Sequence, residues 1–185
     1  NDGVTITSAI IPSTVSYGGK IFAVTAVDDD AFYKCTSLAS VAIPTTVTSI
    51  GSDAFYGTSL YNNSSKWEND VLYICDCLIK AKPTLSGSYV IKSNTRLVAG
   101  RAFEECSSLT AITIPENVEA IGSRAFYDCA SLSKVFWNAK NCKIKSGTNI
   151  YGKAFTFGDA PIDSFVFGDK VERIPAYLCY GLAKL

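Results

Sequence analysis

The sequence predicts a solenoid of stacked coils, mostly β, with a short parallel sheet along one side and short helical turns along the other. Three observations carry this. The word Cys-x-Ser-Leu-x-x-Val-x-Ile-Pro-x-x-Val-x-x-Ile-Gly-Ser-x-Ala-Phe runs from Cys35 to Phe55, and nearly the same word runs from Cys106 to Phe126. Ala-Phe pairs recur at Phe32, Phe55, Phe103, Phe126 and Phe155, with spacings of 23, 48, 23 and 29 residues. Within each word, apolar residues first alternate as on a half-buried strand and are then stopped by proline, which has no N–H to continue a ladder. A fixed period in the twenties marks stacked units that cannot bury their inner faces alone.

The elements follow in order. Ile6, Ala9, Ile11-Pro12 and Val15 fit the places of Leu38, Val41, Ile43-Pro44 and Val47. Tyr17-Gly18-Gly19-Lys20 is a turn signal, predicting a hairpin of Thr14–Tyr17 with Ile21–Val24. Val27 resumes the pattern at the Ile50 place. From Cys35, the residues Leu38, Val41 and Ile43 form a strand, and Val47 and Ile50 return to the core. Asp29 or Asp30, Asp53 and Ser123 precede Ala-Phe as helix N-caps would. Residues 61–99 form an irregular coil. Tyr61–Lys66 reads as a polar loop, and Val71–Ile79 as two strands about a turn near Cys75-Asp76. The pattern returns at Tyr89, Ile91, Val98 and Phe103. The coil from Cys106 is regular. The next places Leu132, Val135 and Trp137 inward, then carries an inserted loop at about 138–149 before Ile150 and Ala154-Phe155. Ile162, Phe165, Phe167 and Val171 follow. Ile174 to Leu185 repeats Val27 to Leu38, with Leu178-Cys179 in place of Ala-Phe. The whole of 1–185 is expected to be one solenoid of about seven right-handed coils that continues past Leu185.

Composition excludes several function classes. Basic and acidic residues number 17 each. Nucleic acid is an unsuitable partner, because it needs a basic face. No apolar run approaches the roughly 18 residues of a membrane helix. There is no histidine, which removes Ser-His-Asp and Cys-His catalysis.

The remaining chemistry lies in thiols and carboxylates. Cys35, Cys106 and Cys129 share one place in the pattern and are read as core thiols. Cys75-x-Cys77 would put two thiols on one strand face, but a second pair at zinc spacing is missing. Glu104-Glu105 and Asp28-Asp29-Asp30 are the densest acidic clusters. A glycosidase needs two carboxylates across a cleft, whereas these flank the Ala-Phe turns as solvated charges. No catalytic residue, metal or cofactor is therefore expected.

The informative surface is the outward strand face. Its first row should read Ser8, Ser40, Ser88, Ala111, Lys134, Ser164, and its second Ile10, Ala42, Val90, Thr113, Phe136, Val166. Lys134, Phe136, Val90, Thr113 and Val166 are the candidate ligand-binding residues, with Phe136 as anchor. Simple β-propensity would also account for such rows. Tyr61, Trp67, Tyr73 and the loop Lys140–Lys145 form a second candidate, where aromatic rings could stack on sugars or cover a small core of the hairpin's own.

The matching residues Cys35-x-Ser37-Leu38 and Ile43-Pro44-x-x-Val47-x-x-Ile50-Gly51-x-x-Ala54-Phe55, repeated from Cys106 to Leu132, resemble the BspA-type leucine-rich repeats of bacterial surface proteins. The likeness covers nearly the whole chain; similar repeats occur in some protozoa. It implies a secreted or surface-anchored bacterial protein without catalytic residues, acting in adhesion. The expected partner is a protein or glycan, host extracellular matrix included, bound by a monomer. The competing reading is a passive stalk displaying another domain; a carbohydrate-active enzyme is third.

Overall fold

The computed structural model describes residues 5–144, 156–182 and 184–185. Coil by coil, the strands are β1 (Ser8–Ile10), β2 (Thr14–Tyr17), β3 (Lys20–Ala23) and β4 (Ala26–Val27), then β5 (Ser40–Ala42) and β6 (Ser49–Ile50). A short helix α1 (Ser59–Asn62) leads to β7 (Trp67–Glu68), β8 (Val71–Ile74) and β9 (Cys77–Ala81). The remaining pairs are β10 (Gly87–Val90) with β11 (Leu97–Val98), β12 (Leu109–Ile114) with β13 (Ala120–Ile121), and β14 (Lys134–Trp137) with β15 (Lys143–Ile144). The last strand is β16 (Ser164–Phe167). The coils of β1, β5, β10, β12 and β14 each contribute that strand to a first face and a two-residue strand to a second. This is a leucine-rich-repeat solenoid, mostly β with parallel sheets and few helices.

The first face is not one continuous sheet. It consists of the parallel pair β1-β5 and the parallel sheet β10-β12-β14-β16. Between them the chain makes the antiparallel hairpin β8–β9, which joins the second sheet in the order β15-β13-β11-β9-β8-β7. The cause lies in residues 71–81, an almost unbroken apolar run rather than an alternating one. Such a run suits a strand buried on both faces. Leu72, Ile74, Cys77 and Ile79 pack into an N-terminal core with Val47, Ile50 and Phe55. Val71, Leu78 and Ala81 pack into a second core with Phe103 and Ile112. The hairpin is thus a wall shared by two cores, not the cover of a small core of its own.

The far side is built of tight turns whose hydrogen bonds run between coils. Phe32 N–H donates to Ala54 O at 2.7 Å, Phe103 N–H to Ala125 O at 2.7 Å, and Phe126 N–H to Thr156 O at 2.8 Å. Left-handed residues bracket these turns: Asp30 and Lys34, Asp53 and Gly57, Arg101 and Glu105, Arg124 and Asp128, Tyr177 and Gly181. A left-handed residue ahead of Ala-Phe breaks the helical path, so the N-cap role expected of Asp30, Asp53 and Ser123 does not arise. Asp29 caps across the coil interface instead, its Oδ1 accepting from Ser52 N–H at 2.6 Å. Residues 61–66, read as a loop, hold the end of α1 and a 3-10 turn at Ser64–Lys66; the Thr58 hydroxyl caps α1 by accepting from Tyr61 N–H.

The phenylalanines stack as interior plugs. Phe103 and Phe126 lie 4.9 Å apart between ring centroids, as do Phe126 and Phe157. The plug of this last coil is Phe157, two residues beyond the predicted Phe155, and Thr156 takes the Ala place. Ile150, Ala154 and Phe155 lie outside the described residues. Other expectations shift for local reasons. Val15 is exposed because it belongs to the β2–β3 hairpin, whose residues are all exposed. Ile6 is 61% exposed where Leu38 is 1%. Phe167 and Ile174, assigned inward places, are exposed.

Close coil spacing has a specific requirement at the Ile-Gly row. Gly122 N–H donates to Val98 O at 2.8 Å, and a Cβ at 122 would sit inside contact distance of the Gly100 backbone, with Ala99 C at 2.7 Å. Gly51 meets Asp29 and Gly100 meets Ser52 in the same way. Gly122→Ala is expected to destabilise by about 1–3 kcal/mol as an overpacking change. Urea denaturation checks this; an unchanged midpoint would mean that the coils can separate locally at no cost.

Candidate functional site

The parallel register of β10-β12-β14-β16 decides which residues share a row. Val90, Thr113, Phe136 and Val166 are successive partners, as are Ser88, Ala111, Lys134 and Ser164. Between these rows, Tyr89, Ile112, Val135 and Phe165 turn to the core side. Val90, Phe136 and Val166 are 64%, 38% and 47% exposed, and Thr113 is half-buried. At roughly 4.8 Å per strand, four strands set these side chains along about 14 Å. Lys134 is exposed and has no ion-pair partner among the described residues. Ala111, expected to face out between Ser88 and Lys134, is buried. Ile10 and Ala42 lie on the separate β1-β5 pair, so the expected stripe is interrupted between Ala42 and Val90.

The aromatic candidate is a ladder of rings that cover one another. Tyr33 stacks on Tyr56 at 5.5 Å, Tyr56 meets Tyr61 at 5.2 Å, and Tyr61 meets Trp67 edge-on at 5.2 Å. Trp67 Nε1–H donates to Tyr61 O at 2.7 Å, and Lys82 Nζ stands 5.3 Å from the Trp67 centroid. Burial pushes the Tyr61 hydroxyl up to about 12, with the Asp53 charge adding to it. Tyr73 is spent elsewhere, its hydroxyl 3.0 Å from that of Tyr89 and its ring under Lys92, which pairs with Glu68 at 2.7 Å. Sugar stacking needs a free ring face, and the inner members of this ladder use theirs on each other. Tyr33 and Tyr56 were not singled out from the sequence, although Tyr after Phe recurs at Tyr33, Tyr56 and Tyr127. In the Lys140–Lys145 loop, Lys140 pairs with Glu172 at 3.2 Å. Lys145 lies outside the described residues.

Thiols and carboxylates are mostly structural. Cys106 and Cys129 are fully buried, as are Cys77 and Cys142. Burial pushes Cys106 up to about 11 and Cys129 and Cys142 up to about 12; it raises Cys77 as well, helped by the Asp76 carboxylate. Cys35, expected in the core, is exposed. Cys75 and Cys77 do not share a strand face. Cys75 is the left-handed turn residue between β8 and β9 and is exposed, whereas Cys77 is inside. Glu104 lies between Arg101, at 3.5 Å, and Lys80, at 3.9 Å. Among the described residues no group of three or more Cys, Asp or Glu could hold a metal ion, and no helix is long and apolar enough to cross a membrane.

One side chain that the sequence did not flag ties three coils together. Arg96 is 9% exposed. Its Nε donates to Asp76 Oδ2 at 3.0 Å and its Nη1 to Val47 O at 2.6 Å, with Glu119 Oε2 at 3.7 Å. Arg96→Met would leave Asp76 and the Val47 carbonyl unpaired. Losing one partner of a fully buried pair costs about 3–5 kcal/mol. Asp76 is one-third exposed and partly screened, so about 2–3 kcal/mol is expected. Thermal melting of Arg96→Met checks this, and a melting temperature unchanged from the parent would refute it.

A family model for the BspA type leucine rich repeat region, in six copies, matches residues 5–132 and 82–185. No curated protein matches the chain. Similar solved structures include the leucine-rich repeat protein of T. pallidum, 27% identical over 72% of this chain and 59% of that one, with a TM-score of 0.35. A leucine-rich cell surface protein of Faecalibacterium prausnitzii A2-165 is 22% identical over 94% of this chain and 50% of that one, with a TM-score of 0.36. A leucine-rich repeat protein of Bacteroides ovatus ATCC 8483 is 21% identical over 96% and 49%, with a TM-score of 0.32. The chain spans 49–59% of the length of these three proteins.

Proposed function

The chain belongs to the BspA-type leucine-rich-repeat family, and from that premise we propose that it is a non-catalytic recognition module. It acts at a bacterial cell surface or in secreted form and binds a protein or glycan through the outer face of β10-β12-β14-β16. One observation carries this reading: Val90, Phe136 and Val166 stand exposed in a single register row, beside Lys134, which has no ion-pair partner among the described residues. An apolar row with one cation suits a partner surface that offers an apolar ridge and a carboxylate. The β-rich scaffold keeps the row rigid, so little ordering entropy opposes binding. Residues 1–185 act as one unit in this proposal, and the unit is a monomer. The cell-surface protein of F. prausnitzii supports the location by analogy of family.

The test is direct binding of the protein to immobilised fibronectin, fibrinogen, collagen and host glycans. The double variant Phe136→Ala, Lys134→Ala runs beside it. Loss of an aromatic anchor costs about 2 kcal/mol or more, so the variant is expected to bind at least tenfold more weakly with its melting temperature unchanged. Equal binding by the variant would refute this face as the site. A folded protein that binds none of the panel would favour the spacer role.

A further inference from the structure

A groove of about 550 Å³ opens on the second face, away from the proposed recognition row. Its lining crosses four strands, with Ile50 of β6, Leu97 of β11, Ala120 of β13 and Ile144 of β15 among its apolar members. Leu97, Ala120 and Lys143 are successive partners, and the row steps from a buried Leu97 through a half-buried Ala120 to an exposed Lys143. The rim is polar. Thr48 lies at one end, and Lys143 and Arg173 at the other.

These two cations are unusual in their surroundings. Nearby Lys140 and Lys170 pair with Glu172 and Glu116 at 3.2 and 3.1 Å. Lys143 and Arg173 are exposed and have no ion-pair partner among the described residues. Glu119, the carboxylate on the same rim, lies 3.7 Å from Arg96 and is directed to that buried guanidinium. The groove thus has apolar residues in its lining and unneutralised positive charge at one end. Its volume falls in the range of small-molecule sites.

We infer that this groove binds a small amphipathic carboxylate, with its apolar body over Leu97 and Ala120 and its carboxylate between Lys143 and Arg173. Burying the body removes apolar surface from water, and a charge-assisted hydrogen bond to Arg173 sets the direction. No part of the site uses residues 145–155. The inference is independent of the recognition row, and Phe136→Ala is expected to leave it unchanged.

Calorimetric titration with decanoate, decanol and decylammonium tests it, since the three share one apolar body and differ in charge. Decanoate is expected to bind saturably, at least tenfold more tightly than decanol, with decylammonium weaker still. The exposed pair Lys143→Glu, Arg173→Glu is expected to weaken decanoate at least tenfold without changing the melting temperature. Ala120→Trp, which fills the groove, is expected to abolish binding of both decanoate and decanol. Equal binding of decanoate and decanol, decanoate binding indifferent to charge reversal, or no saturable binding would each overturn the assignment.

Discussion

Stability is expected to fall steeply as the pH rises above 9. Cys77, Cys106, Cys129 and Cys142 are fully buried, and burial holds each thiol neutral beyond its ordinary range. An unfolded thiol ionises near pH 8.5–9. Raised folded values mean that the native state keeps protons which the unfolded state gives up. The contribution is therefore fully present below about pH 9 and is lost as the pH climbs through the folded values, about 11 for Cys106 and about 12 for Cys129 and Cys142. Each such thiol costs about 1.4 kcal/mol per pH unit inside this window. Four together cost roughly 5–6 kcal/mol per unit, comparable with the ~5–15 kcal/mol stability of an ordinary domain. Above pH 10, Tyr61 and Tyr89, whose hydroxyls are also raised by burial, act in the same direction. Urea melts followed by circular dichroism from pH 7 to 11, under reducing conditions, should show a plateau and then a collapse. Cys129→Ala should flatten the fall by about one thiol's share. A stability that stays level to pH 11 would show that the thiols ionise in place and that the core is open to water.

Phe126→Ala is expected to cost about 3–5 kcal/mol, the range for emptying a buried aromatic site. Phe126 is completely buried and stacked on both sides, by Phe103 and by Phe157. A solenoid's stability is a sum of coil terms and neighbour interfaces. Removing this ring therefore weakens two interfaces at once and leaves a void that backbone stitching on both sides prevents from closing. Phe32 provides the internal comparison. It is half-buried and, among the described residues, stacks on Phe55 alone, at 5.4 Å. Phe32→Ala should cost about 1–2 kcal/mol, within the value of a partly buried ring. Equal destabilisation by the two variants in urea denaturation would refute the two-sided account. Equal mildness would show that the coils relax into the cavity.

Much of this was legible in the chain. Repetition made it so: Val41, Ile112 and Val135 are read as inward because several coils say the same thing, and the rows through Val90 and Phe136 follow from a period of two along parallel strands. The Cys75-Asp76 turn was legible too, because an apolar run interrupted by a polar residue has few other ways to fold. Where the packing around a repeated place changes, the pattern misleads. Cys35 shares its place with Cys106, yet Cys106 is buried with its thiol on Lys82 O while Cys35 is exposed. Phe155 carried the repeated word, but the ring stacked on Phe126 is that of Phe157. Nothing near Arg96 marks it, since its partners Asp76 and Val47 lie 20 and 49 residues away in the chain.

The sequence by itself determined the coil, its period, the inward face and the aromatic plug, because each is a local pattern that stacking merely repeats. Tertiary structure decided three things that no single coil contains. The β8–β9 hairpin became a wall between two cores, the first face was divided into two sheets, and the groove over Ala120 acquired Lys143 and Arg173 on its rim. All three depend on how neighbouring coils are offset, and that offset is set by the summed packing of residues distant in the chain.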